Sequence, residues 1–342
     1  MNDAVKVKLK DIAQRAGVSS AVVSSVLNRR SGTIRVGTEK REAILSIARE
    51  LNYTPDISAR ALAGMPTGTI GILIDSQAPN SDYRLIRALE AEASRCGKTV
   101  LVGKTHDNVS QLFKAYRHLQ QNHVDAVICV SHDYPGYNDE IERLFANAPK
   151  TVFVNGPCIP GCPCVLTELW AGYHEAIRHL HSRGRKRILM QVGADVVISP
   201  WFVNRAVVQS FLQEYPEYKE NLIPIPTIGV PPETLRKRFH EMIAEVVVPR
   251  RIDAFIASND QNALVMMSEL QAIGLKVPDD VAVVGCDNDS FAPLLQPTLS
   301  SIDQNEAETA YNTFAIVQDL LAGREPRPCP PVKSKFVPRD SS

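Results

Sequence analysis

From Thr69 onward the chain alternates short apolar runs with amphipathic stretches, and this alternation restricts the fold more than any other feature. Apolar runs at 70–74, 99–102, 124–130, 151–154, 187–192, 253–257 and 281–286 have strand length. Between them, 82–96, 109–121, 168–182, 203–214, 233–246 and 261–273 carry apolar residues at helical spacing. Strand–helix alternation predicts parallel sheets with helices on both faces. Seven strands over about 270 residues predict two doubly wound layers, with ligand chemistry at the carboxyl ends of the strands.

The first 64 residues follow a different plan. Leu9-Lys10-Asp11-Ile12-Ala13-Gln14-Arg15-Ala16-Gly17 predicts a short helix with Ile12, Ala13 and Ala16 on one face, stopped by a glycine. Ser19 is placed to cap a second helix over 20–28, where Val23, Val26 and Leu27 are apolar. Two short helices joined by a Gly-containing turn form a helix-turn-helix, whose second helix enters the major groove of DNA. A loop with Arg29, Arg30 and Arg35 follows. Thr38 is the expected cap of a third helix buried through Ile44, Leu45, Ile47, Ala48 and Leu51. Asp56 is placed to cap a last segment, 57–63, that is too short to be stable alone. Charge divides at the same point. Residues 1–64 hold 11 Lys+Arg against 6 Asp+Glu, and the remainder is acidic enough to bring the net charge to zero. A basic head on an acidic body predicts a polyanionic partner for the head.

The head resembles the lactose-repressor (LacI/GalR) family. The resemblance rests on Leu9-Lys10-Asp11-Ile12-Ala13, Ala16-Gly17-Val18-Ser19, Val26-Leu27-Asn28, Thr38, Leu51-Asn52-Tyr53-Thr54-Pro55 and Ala59-Arg60-Ala61-Leu62. It implies that Ser20 and Ala21 occupy base-reading positions at the start of the recognition helix. By the same resemblance Ser19, Ser24, Asn28, Thr38 and Tyr53 touch phosphates or position that helix. Ala59 and Leu62 match a hinge helix whose paired leucines wedge into the minor groove. Two positions depart from the family. Ser25 stands where an arginine usually reads a base, and Val22 where a threonine is usual. The major-groove readout is therefore short-armed.

The body is similar to the same family, whose core resembles a periplasmic sugar-binding protein. The match runs through Asn80-Ser81-Asp82-Tyr83, Glu168, Gly172, His179-Leu180, Gly184-Arg185-Lys186-Arg187-Ile188, Ser258-Asn259-Asp260, Val284-Gly285-Cys286-Asp287-Asn288 and Pro297 to Gln304. The fold class expected is an N-terminal all-α helix-turn-helix head with a hinge helix, then an α/β periplasmic-binding-protein-like core of two doubly wound subdomains. Its expected divisions are 1–64 for the head and hinge, 68–166 completed by about 295–323 for the first subdomain, and 167–294 completed by about 324–340 for the second. The resemblance places Arg205, Asn259 and Asp287 against an effector, with Asn155, Trp201 and Gln304 at further pocket positions and Tyr83 at the mouth. A guanidinium, an amide and a carboxylate suit adjacent hydroxyls of a sugar or derivative. Ser81-Asp82 replaces apolar residues of the family, so a more polar pocket is expected.

The resulting expectation is a homodimeric, cytoplasmic and nucleoid-associated repressor on a pseudo-palindromic double-stranded DNA operator, controlled by a small carbohydrate effector. A ligand-binding protein of periplasmic type without a DNA role is the competing reading. It calls for a signal peptide, and the N-terminal residues carry no apolar stretch of that kind. No enzyme activity, cofactor, metal or membrane contact is expected. Nucleophile-elbow and dinucleotide-binding motifs are missing, and no apolar run approaches the roughly 18 residues of a membrane-spanning helix. Cys158-x3-Cys162-x-Cys164 lacks the paired CxxC of a zinc site, and the seven cysteines are expected to be reduced thiols.

Overall fold

The computed structural model describes residues 7–27, 36–54, 57–76, 78–105, 109–131, 138–146, 148, 150–192, 203–225 and 230–342, apart from the side chains of 57–59, 138 and 203–206. The chain forms two compact units that divide between Thr67 and Gly68.

The first unit contains α1 (Leu9–Ala16), α2 (Ser20–Leu27), α3 (Thr38–Glu50) and α4 (Ile57–Leu62). Gly17 takes a left-handed φ of 63°, which turns the chain between α1 and α2. The Ser19 hydroxyl accepts from the Val22 N–H at 3.4 Å. Ile12, Ala13, Val23, Val26, Ile44 and Ala48 close one small core. Thr38, expected as the cap of α3, is instead its first residue. Gly37 holds the cap position, because its carbonyl accepts the first helical bond, from Arg41 N at 3.0 Å. Asp56, the expected cap of α4, lies outside the described residues.

The second unit begins with β1 (Thr69–Ile74), α5 (Asn80–Arg95), β2 (Thr99–Lys104), α6 (Val109–Gln121), β3 (Ala126–Val130), α7 (Asn138–Phe145), β4 (Thr151–Val154) and β5 (Cys164–Val165). The five strands form one parallel sheet in the order β2-β1-β3-β4-β5. Side chains alternate across it. Ile70, Ile72, Ile128 and Val130 face Leu85, Leu89 and Phe314. Leu73, Val127 and Cys129 face Leu112, Tyr116 and Phe145.

The chain then crosses at β6 (Thr167–Glu168) into α8 (Trp170–Ser182), β7 (Ile188–Val192), α9 (Val203–Glu214), β8 (Leu222–Pro224), α10 (Pro232–Met242), β9 (Ala254–Ile256), α11 (Asp260–Ala272), β10 (Ala282–Cys286) and β11 (Ser300–Asp303). It returns to the first layer with α12 (Glu306–Leu321), whose Ala310, Phe314 and Val317 share the core of α5. A second crossing, β12 (Val332–Lys333), pairs in parallel with β6 and leads to β13 (Lys335–Val337). The second sheet runs β13-β11-β10-β9-β7-β8, with β13 antiparallel to β11.

Each layer thus repeats one winding, with its first strand in the interior of the sheet and helices on both faces. The stretch 295–323, expected to complete the first layer, divides between the two. β11 belongs to the second sheet because it pairs with β10, and only the helix after it returns.

Candidate functional site

The carboxyl ends of β1, β3, β4, β9, β10 and β11 lead directly into the residues that meet between the layers. This is the crevice where a doubly wound fold places its ligand. Ser81, Asp82, Leu85, Asn155, Thr167, Gln304, Glu306 and Thr309 line a small cleft there.

Arg84 of α5 is the central group. Its side chain is only 17% exposed, and it forms ion pairs with Asp289 and Glu306 and donates to the main-chain carbonyl of Asp287. Its Nε lies 3.1 Å from Glu306. One guanidinium from the first layer is therefore fixed to the β10–β11 end of the second. Burial works against its charge, but Glu306, Asp287 and Asp289 outweigh that effect and hold it above the ordinary arginine value.

Asp287 is buried at the end of β10 with φ 107°, a conformation costly for a residue with a Cβ. Its Oδ1 accepts from Gln304 Nε2 at 2.5 Å. Burial pushes its carboxyl well above the usual range. Asp260 sits beneath it, accepting from Asp289 N at 2.6 Å and from Ser301 Oγ at 2.5 Å. Burial raises Asp260 to about 6. Gly285 makes room for it: a Cβ there would lie 2.0 Å from Asp260 Oδ1. Asp82 is buried on the opposite wall, accepts from Ser131 Oγ at 3.3 Å, and is pushed by burial to about 7.

The expected effector residues distribute unevenly. Asn155 and Gln304 line the cleft, and Asp287 joins it through Gln304. Asn155 has a left-handed φ of 58°, and its Oδ1 accepts from Thr167 N at 2.9 Å. Asn259 caps α11, accepting from Asn262 N at 2.8 Å. Tyr83 is half-buried beside the cleft, its hydroxyl 3.5 Å from the Ser76 carbonyl and Lys104 Nζ 5.5 Å from its ring centroid. Arg205 lies in α9, with a side chain outside the described set, and Trp201 lies outside the described residues. Arg84, Asp289 and Glu306 were not singled out in the sequence, and Asp260 stood there only within the Ser258-Asn259-Asp260 match. Asp82 announced itself only as a polar residue at an apolar position.

In the head, Ser20 and Ala21 are exposed at the start of α2, while Ser24 and Ser25 are half-buried. Thr38 is exposed at the start of α3, and Tyr53 packs against the head core. Asn28 lies outside the described residues. Ala59 falls within α4, and Leu62 ends that helix 88% exposed.

Two family models match the chain. "Bacterial regulatory proteins, lacI family" covers residues 8–56, and "Periplasmic binding protein-like domain" covers 177–342. Among curated relatives, the HTH-type transcriptional repressor PurR of Vibrio vulnificus (strain CMCP6) is 27% identical over 320 residues, spanning 93% of this chain and 92% of the relative. The protein of the same name from Mannheimia succiniciproducens is 24% identical, with the same coverage. Among solved structures, a lac repressor dimer bound to operator and the anti-inducer ONPF superposes with a TM-score of 0.79 at 23% identity, covering 98% of both chains. A complex of the transcriptional regulator CelR with cellobiose gives 0.65 at 21% identity, covering 98% of this chain and all of the other.

Proposed function

Because the chain belongs to the lacI family of bacterial regulatory proteins, we propose that it is an effector-controlled repressor that binds a pseudo-palindromic operator as a homodimer in the cytoplasm. The observation that carries this reading is the presence in one chain of a helix-turn-helix head and a two-layered core with a polar cleft at its strand ends.

The head supplies the DNA-facing groups. Ser20 and Ala21 stand exposed at the N-terminal end of α2, the part of a recognition helix that meets base edges. Their short side chains make phosphate contacts and hinge insertion carry a larger share of affinity than in an arginine-reading head.

The cleft supplies the effector site. Its carboxyl groups and amides, with the neighbouring Arg84 guanidinium already paired, favour a neutral polyol over an anion. A sugar's hydroxyls donate to Asp82, Asp287 and Glu306 and accept from Asn155 and Gln304. Solved relatives of this fold bear cellobiose, sucrose and glucose, which agrees with that class. Occupancy alters the Arg84 contacts between the layers, and a coupling of about 1–3 kcal/mol transmits the change to the head.

Selection of genomic fragments bound by the purified protein at fixed salt tests the reading. The expected result is enrichment of a palindrome with two half-sites about one helical turn apart. No enrichment, with or without a panel of sugars, overturns it. Arg205→Ala is expected to keep operator affinity and to abolish the sugar response in the same assay. An unchanged response removes Arg205 from the site.

A further inference from the structure

The Arg84 guanidinium works in two directions. It lies in the second turn of α5, an element that stays in the first layer. Its Nε donates to Glu306, which opens α12 and so shares that layer's core. Its Nη1 donates to the Asp289 carboxylate, and its Nη2 is shared between Glu306 and the main-chain carbonyl of Asp287. Asp287 and Asp289 follow β10 and belong to the second layer. One carboxylate thus holds the guanidinium from within its own layer, and the other N–H groups reach across the crevice.

The crevice beside these groups is closed. The cleft to which Glu306 contributes encloses about 10 Å³, room for about one water molecule. Sites for small organic ligands typically enclose about 300–1,000 Å³. A sugar therefore cannot enter while the layers keep this separation.

We propose that Arg84 is a latch that holds the two layers closed over the cleft, so that a sugar enters only when the guanidinium releases Asp289 and the Asp287 carbonyl. The proposal rests on the reading of the cleft as the effector site and adds what controls access to it.

The chemistry suits a closure that reverses. Bonds from a guanidinium to a carboxylate are strong and directional. Arg84 and Asp289 nevertheless keep 17% and 11% of their side-chain surface exposed, so water reaches both as they part. Release does not strand the cation, because Glu306 moves with Arg84 in the first layer. The Asp289 N–H stays bonded to Asp260 at 2.6 Å, which keeps the turn after β10 in shape when its carboxylate lets go. A sugar that binds Glu306 and the Asp287 carbonyl replaces the contacts given up and so favours the open form. The apparent affinity for any sugar then scales with the fraction of molecules unlatched.

The test needs neither sugar nor DNA. Unnatural side chains bearing spin labels replace Glu90 of α5 and Gln261 of α11, both exposed, and leave the seven cysteines untouched. Labelled full-length chains are diluted with unlabelled ones, and label-to-label distances are measured by pulsed electron paramagnetic resonance. Asp289→Ala removes the carboxylate across the crevice and leaves the Arg84–Glu306 pair in place. It is expected to add a population several ångströms longer than that of the wild type. Arg84→Met, which removes both inter-layer bonds, is expected to enlarge that population further. Arg324→Met breaks an ion pair with Asp319 inside the first layer and is expected to leave the distances unchanged. Wild-type distances in Asp289→Ala and Arg84→Met overturn the latch, as does an equal lengthening in Arg324→Met. The outcome is separate from that of the regulator reading. A failed latch leaves the fragment selection and the sugar response standing, and a failed selection leaves the distances standing.

Discussion

Arg84 shows how one side chain can hold two halves of a core together. Its partners Asp287, Asp289 and Glu306 are more than 200 positions away in sequence. Removing one member of a buried ion cluster leaves its partners' charges uncompensated. Arg84→Met is expected to lower stability by about 3 kcal/mol, read as a shift in urea midpoint. A midpoint within error of the wild type would show that the carboxyl groups find water instead. The carboxyls themselves make stability depend on pH. Asp82 titrates near 7 and Asp260 near 6 in the folded protein, against an ordinary value of 3.8. Between about pH 4 and 7 the native state therefore binds more protons than the unfolded chain, so stability falls as pH rises through that window. Asp82→Asn keeps the shape and the Ser131 contact but cannot ionise. The variant is expected to match the wild type near pH 4 and to exceed it near pH 8. A variant weaker at both values would show that the Asp82 charge is stabilising. None of this was visible locally. Asp82 stood out because it replaces an apolar residue, whereas Arg84 reads as one more polar position on an amphipathic helix.

At the scale of elements, what could be read in the sequence depended on whether an element carries its own period. Helix α9 and strand β1 have regular apolar spacing, and their predicted spans agree with the structure to within a residue. Strand β11 reads Ser300-Ser301-Ile302-Asp303, with no apolar run to announce it. It lies inside the second sheet because its buried serines are satisfied. Ser301 donates to Asp260, and Ser300 donates to the Arg339 carbonyl at 3.1 Å. Strands β5, β6 and β12 are two residues each and have no period at all. Helix α4, proposed as a hinge, is the opposite case. Its six residues are too few to be stable alone, yet it ends in a leucine left 88% exposed. An apolar side chain held in water at the end of a marginal helix gains most when a partner covers it. Burying it in a kinked base step is worth about 1.5–3 kcal/mol. Leu62→Ala is expected to weaken operator binding at least tenfold and to change binding to random-sequence DNA less than twofold. Equal losses on both DNAs would place Leu62 outside the wedge.

At the scale of the molecule, the two layers follow from strand–helix alternation, and the separate head follows from the change of period and charge near Thr69. The charge division leads to the last expectation. A head with a surplus of five positive charges faces DNA, while the body carries the compensating negative charge. The head, with its basic surplus, is then the unit suited to neutralising phosphates, and the acidic surplus of the body opposes close approach elsewhere. If each head neutralises about four phosphates and a dimer places two heads, log K is expected to fall with log salt at a slope of about −7. One engaged head would halve that slope. Leu62→Ala should leave the slope unchanged while lowering the intercept, because the leucine adds no charge. The measurement thus separates electrostatic grip from hinge insertion and counts engaged heads. A slope shallower than about −2 would mean that the basic surplus does not meet the phosphate backbone, and the head would then have to bind through contacts its short recognition side chains do not offer.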